Sequence, residues 1–368
     1  MLQQRIIRNL DKILILVVIV LVAISLTVIG SATHINKEGL ILYSFVGKQG
    51  LFFLVDIAVI IFFLKFDYMQ LRRWTKALYG INLIMLMAVM FIGTSALGAQ
   101  RWIQLGPITL QPSEFSKLIM IICLANLLAD KVDKLNTYRS LLPVALYVGI
   151  PFLLVLKQPD LGTSLVFLAI ALGMLFTANV KLTLLRNIAG LVIALMPFGW
   201  FFLKSYQKER IQVFFNPNID PFGAGYHIIQ SKIAIGSGKL FGKGLFQGTQ
   251  SQLNFLPENH TDFIFSVIGE ELGFLGCLFI LFLYFILIYR ALMIARSAKE
   301  PFGILLAIGI VSMWAFQLFI NIGMTCGIMP VTGIPLPFMS YGVSALTTNM
   351  ISVAILLNIY VHRQMMMF

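Results

Sequence analysis

The chain has 368 residues, of which 59% are hydrophobic and only 11% charged, with a formal net charge of +12. Soluble globular domains carry charge on about a quarter of their residues, so this composition excludes that class and predicts a membrane protein. The basic residues flank apolar runs and form no stripe interleaved with aromatics, so no nucleic-acid partner is expected.

A helix that crosses a bilayer needs about 20 apolar residues, and such runs recur along the whole chain. The first, 13–30, follows the basic segment MLQQRIIRNLDK and outlasts the apolar core of a signal peptide, which predicts a retained helix. The second, 50–64, carries Asp56 near its middle; a hydrogen bond to a neighbouring helix is the preferred reading there, with a proton relay as the alternative. Further spans are predicted at 77–97, 114–129, 141–156, 161–178, 183–203, 263–289, 302–322 and 342–361. The expected fold is therefore an all-α polytopic membrane protein of about ten transmembrane helices, one domain over 1–368, with a large extracytoplasmic loop, 204–262, between helices seven and eight. Lys and Arg gather in alternate loops, at Arg72, Arg73, Lys76, Lys131, Lys134, Arg139, Arg290 and Arg296 among others, so both termini are expected in the cytoplasm. Cys123, Cys277 and Cys326 sit in apolar surroundings at no metal-ligand spacing and read as packing residues.

That topology brings several unusual segments to the outer face. Residues 98–113, GAQRWIQLGPITLQPS, are polar and turn-rich, and Ser113 is a candidate helix cap ahead of Glu114. KQPDLGTS, 157–164, makes a tight corner between two spans. Within the long loop, the pattern at Tyr226–Ile235 predicts a short amphipathic helix in the membrane interface. The glycine-rich run 236–248 lacks the spacing of a nucleotide-binding loop; Lys239 and Lys243 there could meet a phosphate, although a flexible turn explains the run as well. GIPLP, inside 321–342, cannot continue a regular helix, so this apolar segment either lines a cavity or packs as an outer loop on the helix ends.

The ionisable groups on this face are candidates for function because charge at the edge of a span is expensive. Glu114 and Lys117, three apart on one helix face, are expected to join Asp160 in a polar network or to contact substrate directly. Glu258, His260 and Asp262 arrive together at the end of the long loop. Asp262 can cap the next span or act as a carboxylate base whose partly apolar setting raises its pKa. Glu270 and Glu271, two turns deeper, suit a structural or proton-balancing role. Arg101 and Arg210 suit phosphate, since a guanidinium offers two parallel hydrogen bonds, whereas Lys204 and Lys208 read as snorkelling to headgroups.

AQRWIQLGPITLQPSEFSKL, KQPDLGTS, the stretch from DPFGAGYH through NHTDFIFSVIGEELGFLG, and GIMPVTGIPLPFMSYG together resemble the SEDS family (shape, elongation, division and sporulation), its cell-elongation members in particular, over nearly the whole chain. The resemblance implies a peptidoglycan glycosyltransferase of the bacterial inner membrane that polymerises lipid II on the outer face and works with a class B penicillin-binding protein, a transpeptidase. Its essential aspartate falls on Asp262, its QPSE and SK pair on Glu114 and Lys117, and its QPDLGTS acid on Asp160. SYGVS departs from the family pattern at Val343, and Asp56 is a second departure. On this reading Asp262 deprotonates the acceptor 4-hydroxyl of the nascent lipid-linked glycan as it attacks the donor anomeric carbon, with inversion. Cations, or a divalent metal such as magnesium or manganese, stabilise the departing polyprenyl pyrophosphate. Arg101, Lys117, Arg210, Glu258 and His260 are the expected substrate contacts. A flippase for lipid II or another polar lipid is the alternative, and it requires groups reachable from both sides.

Overall fold

The computed structural model describes residues 9–33, 45–96, 99–106, 108–132, 134–202 and 205–365. Among the described residues eight helices are long and apolar enough to cross a membrane, and two shorter apolar stretches, 161–177 and 182–191, bring the total there to the expected ten. The first three are α1 (Lys12–Ala32), α2 (Phe45–Phe63) and α3 (Gln70–Ile92). After a small sheet come α4 (Pro112–Ala129), α5 (Tyr138–Lys157), α6 (Leu161–Thr177) and α7 (Leu182–Phe202). The last three spans, numbered after three short helices of the long connection, are α11 (Ile264–Ser297), α12 (Pro301–Thr325) and α13 (Val343–Met365).

α12 lies at the centre, packed on α4, α6 and α11, while α1 packs on α11 and α2 on α13. α4, α12 and α13 are mostly buried, so their apolar residues meet other helices and not lipid. Small residues permit the close approaches that membrane helices depend on for van der Waals contact: a Cβ on Gly173 of α6 would lie 1.9 Å from Ser312 Oγ of α12. At the end of the bundle that holds both Asp11 and Arg290, the Asp11 carboxylate accepts from Leu14 N, capping α1, and from Arg290 Nη2 at 2.6 Å.

The polar segment before α4 is a three-stranded antiparallel meander, β1 (Thr94–Ala96), β2 (Ala99–Leu105) and β3 (Ile108–Leu110), in the order β1-β2-β3. Gly106, at φ +62°, supplies the turn between β2 and β3. Ser113 does not cap α4: Pro112 starts the helix one residue earlier, because its fixed φ suits the first turn and it has no N–H to satisfy. The cap position belongs to Gln111, whose N–H donates to Ser344 Oγ instead, tying the meander to α13.

Residues 205–262 are built, not looped. They contain α8 (Ser205–Phe215), a 3₁₀ turn (Pro217–Ile219), α9 (Ala224–Ser237) and the single turn α10 (Thr249–Gln252). α9 covers the expected amphipathic helix and extends it at both ends, and it packs on α11 with Ile228, Ser231 and Ala234 buried. Ser231 Oγ donates to Thr325 O at 2.6 Å, so the helix is bonded into the bundle as well as lying at its edge.

The glycine-rich run folds onto α11. Gly273, at φ +68° and ψ −164°, breaks α11, and the chain at Lys239–Gly242 enters that break, with Phe274 N donating to Lys239 O and Leu275 N to Leu240 O. A Cβ on Gly273 would sit 2.2 Å from Gly242 N, so only glycine fits by conformation and by space. Glu270, fully buried, accepts from Lys243 Nζ at 2.7 Å and from Gln250 N and Ser251 N. Glu271 Oε1 accepts from Ser31 Oγ at 2.5 Å. The two glutamates therefore fasten the connection to the bundle, and Lys243 spends its charge there.

Candidate active-site cleft

A cleft of about 260 Å³ opens at the end of the bundle where the meander, the 205–262 connection and the segment 326–342 meet. Arg101 of β2, Arg210 of α8, Glu258, Thr261 and Asp262 line it, together with Thr163, Thr332, Gly333, Tyr341 and Ser344.

The residues between α12 and α13 form one wall. They remain irregular because Pro330, Pro335 and Pro337 cannot donate to a helix ladder, and Ile334, Leu336, Phe338 and Met339 are nonetheless buried. Of the two sequence readings, a cavity-lining segment is therefore the one realised. Hydrogen bonds tie it to its neighbours: Asn321 Nδ2 donates to Ile334 O and to Asp262 O, and Ser340 Oγ donates to Thr261 O at 2.6 Å.

Asp262 does not cap α11, which begins at Ile264 with Phe263 in the cap position and no side-chain cap bond. Among the described residues its carboxylate accepts no hydrogen bond, so it is available to a ligand. Burial, and then the nearby negative charge of Glu258, push this carboxyl up to about 6 against the opposing pull of Arg210 and Arg101. Gly333 stands beside it at φ +71°, where an added Cβ would lie 3.2 Å from Asp262 Oδ2.

Arg101 Nη1 lies 3.7 Å from Asp160 Oδ1, and its other nitrogens donate to Gln158 O and Pro159 O. Asp160 also caps α6, accepting from Thr163 N at 3.1 Å and Thr163 Oγ1 at 2.9 Å. The corner QPDLGTS thus aims Arg101 into the cleft. Arg210 reaches over the irregular wall, Nη1 donating to Val331 O at 3.2 Å. Glu258, at φ +51°, accepts from Thr261 Oγ1 at 3.0 Å through Oε2.

The expected three-member network divides into two pairs. Lys117 Nζ bonds Glu114 Oε1 at 2.7 Å with both side chains almost wholly buried, whereas Asp160 pairs with Arg101. Neither Glu114 nor Lys117 lines the cleft. His260 is also absent from the lining: its ring packs on Phe45 and Tyr341, with centroids at 4.6 and 5.7 Å, and burial lowers its pKa. Lys204 lies outside the described residues, and Lys208 is not part of the lining. Sequence reasoning missed Thr163, Thr332, Gly333 and Ser344, whose small or neutral side chains carry no signal until the fold brings them together. Asp56 is buried in α2 and accepts from Thr347 Oγ1 of α13 at 3.3 Å, the hydrogen bond between helices that was preferred for it.

Among the described residues no group of three His, Cys, Asp or Glu is arranged to hold a metal ion. Magnesium is commonly held by one or two carboxylates together with substrate phosphates, and Glu258 is the cleft carboxylate that would hold it.

The comparisons with known proteins agree with this architecture. The FtsW/RodA/SpoVE cell cycle protein family model matches residues 11–365. The peptidoglycan glycosyltransferase MrdB of Escherichia coli (strain K12) is 46% identical over 294 residues, covering 80% of this chain and 79% of MrdB. The crystal structure of the rod shape determining protein RodA of Thermus thermophilus superposes with a TM-score of 0.71 at 26% identity, covering 96% of this chain and 98% of that one. A chain of a peptidoglycan synthase complex that coordinates polymerization and crosslinking superposes with a TM-score of 0.83 at 28% identity and the same coverage. With the family model spanning almost its entire length, this multi-pass membrane protein belongs to the FtsW/RodA/SpoVE family, the SEDS proteins.

Proposed function

We propose that this chain, a peptidoglycan glycosyltransferase of the SEDS family, polymerises lipid II into glycan strands on the outer face of the bacterial inner membrane during cell elongation, with both termini cytoplasmic. The observation that carries this reading is the composition of the cleft: a raised-pKa carboxylate with no hydrogen-bond partner among the described residues, and two guanidinium groups, on one wall-bounded opening at the bundle end. Asp262 takes the proton of the acceptor 4-hydroxyl as that oxygen attacks the donor anomeric carbon. The new glycosidic bond forms as the bond to pyrophosphate breaks, the anomeric centre inverts, and polyprenyl pyrophosphate leaves with the electron pair. Arg101 and Arg210 hold the pyrophosphate oxygens, where charge grows in the transition state. A divalent cation held by Glu258 and the phosphates would supply further charge stabilisation.

Gathering of the charged lining at one end of the bundle favours polymerisation over the flippase alternative, which needs access from both faces. The synthase-complex relative supports a transpeptidase partner, here a class B penicillin-binding protein, that crosslinks the product. Incubating the purified full-length protein and that partner with lipid II tests the reading: glycan chains are expected, and lipid II translocation across vesicles without chain growth would favour the flippase.

Two further results are expected. Arg101→Lys and Arg210→Lys each lose the bidentate geometry and should lower kcat/KM for lipid II about tenfold, while Lys208→Ala leaves it near wild type; normal kinetics in both arginine variants would place the pyrophosphate elsewhere. Gly333→Ala forces a Cβ into a left-handed backbone and against the Asp262 carboxylate. It should cost about 1–2 kcal/mol of stability and lower turnover more than lipid II binding, measured by thermal unfolding and initial rates.

A further inference from the structure

α2 is fastened by polar groups. Among its residues only Gln49 and Asp56 are buried, and they stand seven residues, about two turns, apart on one face. Leu51, Leu54, Val55, Ile61 and Phe62 face outward. In lipid, apolar side chains gain little by meeting another helix, so close packing and hydrogen bonds decide where such a helix sits. Asp56 supplies one bond, to Thr347 of α13.

Gln49 supplies two, and both go to the irregular wall of the cleft. Its Nε2 donates to Ser340 O and its Oε1 accepts from Gly342 N, each at 3.3 Å. One side-chain amide thus brackets Tyr341 as a neighbouring strand would, satisfying one backbone acceptor and one backbone donor of the wall. The opposite edge of these residues holds the chain that leads into Asp262: Tyr341 N donates to His260 O at 2.9 Å, and Ser340 Oγ to Thr261 O. Tyr341 and Gly342 themselves line the cleft.

We infer that Gln49 is a positioning residue, through which α2 sets the 340–342 wall and thereby the placement and burial of Asp262. The inference rests on the assignment of Asp262 as the base. A wall that loosens admits more water to the half-buried carboxylate, so the effect is read on the pH dependence of turnover as well as on its rate.

The test uses the full-length protein with its transpeptidase partner and lipid II, comparing wild type, Gln49→Leu, Gln49→Asn and Asp262→Asn. Leucine removes both hydrogen bonds, and asparagine keeps the amide but falls short of spanning 340 and 342. Both variants should lower kcat between about tenfold and 10²-fold with KM changed less than about twofold, the scale expected of a misplaced reacting group. The acidic limb, near pH 6 in the wild type, should move about one unit towards the ordinary carboxylate value of 3.8. A wild-type acidic limb in either variant overturns the inference, since a purely structural glutamine would lower Tm or yield without moving it. Survival of polymerisation in Asp262→Asn would instead overturn the base assignment, whatever the glutamine variants do.

Discussion

Asp262→Asn is expected to abolish glycan polymerisation, with a fall of about 10²–10⁴-fold, while leaving the fold intact. The carboxylate accepts no hydrogen bond among the described residues and caps no helix, so an isosteric amide removes the base without removing a structural contact. The proton linkage has a definite sign. Because burial and Glu258 raise the folded-state value from 3.8 to about 6, the native state holds this proton more tightly than the unfolded chain. The stability contributed by protonated Asp262 is fully present below 3.8 and is lost as pH rises to about 6. At neutral pH the ionised group is therefore a cost, and Asp262→Asn should unfold at the wild-type temperature or above it. Turnover follows the opposite trend, falling as pH drops below about 6 and the base is protonated. Substantial synthesis by the variant, measured with purified lipid II, would sink the assignment.

Lys117→Met should be the most destabilising of the substitutions considered, at about 3–5 kcal/mol, because it leaves Glu114 charged and alone in the interior. The pair is bonded at 2.7 Å with side-chain exposures of 1% and 2%, so no water replaces the lost partner. The double variant Glu114→Leu with Lys117→Met should recover most of the loss, since two apolar groups of similar size need no partner. Thermal unfolding of the single and double variants gives the coupling directly. The same measurement on Asp160→Asn should show additivity with Lys117→Met but coupling with Arg101→Lys, following the two pairs in the structure. Equal stability of the single and double variants would mean that Glu114 finds another partner.

The sequence by itself determined the membrane class, the ten apolar segments and the residues of chemical interest, because each depends on local composition: run length against bilayer thickness, and the expense of an ionisable group beside a span. It also marked 321–342 as unable to form a regular helix, since proline and glycine act on their own backbone. What only the tertiary structure decided was partnership. Glu114, Lys117 and Asp160 look equivalent as three charges near helix starts, and the β2 strand alone carries Arg101 to Asp160 and leaves the other two to each other. For Glu270 and Glu271 the sequence leaves a structural and a proton-balancing role both open, and the glycine-rich turn that folds into the Gly273 break gives them structural partners. Gln49 gave no signal at all, an ordinary polar residue near a helix end whose partners lie 291 and 293 positions away. Hydrogen bonds at such separation depend on how helices pack in three dimensions, and no periodicity along the chain encodes them.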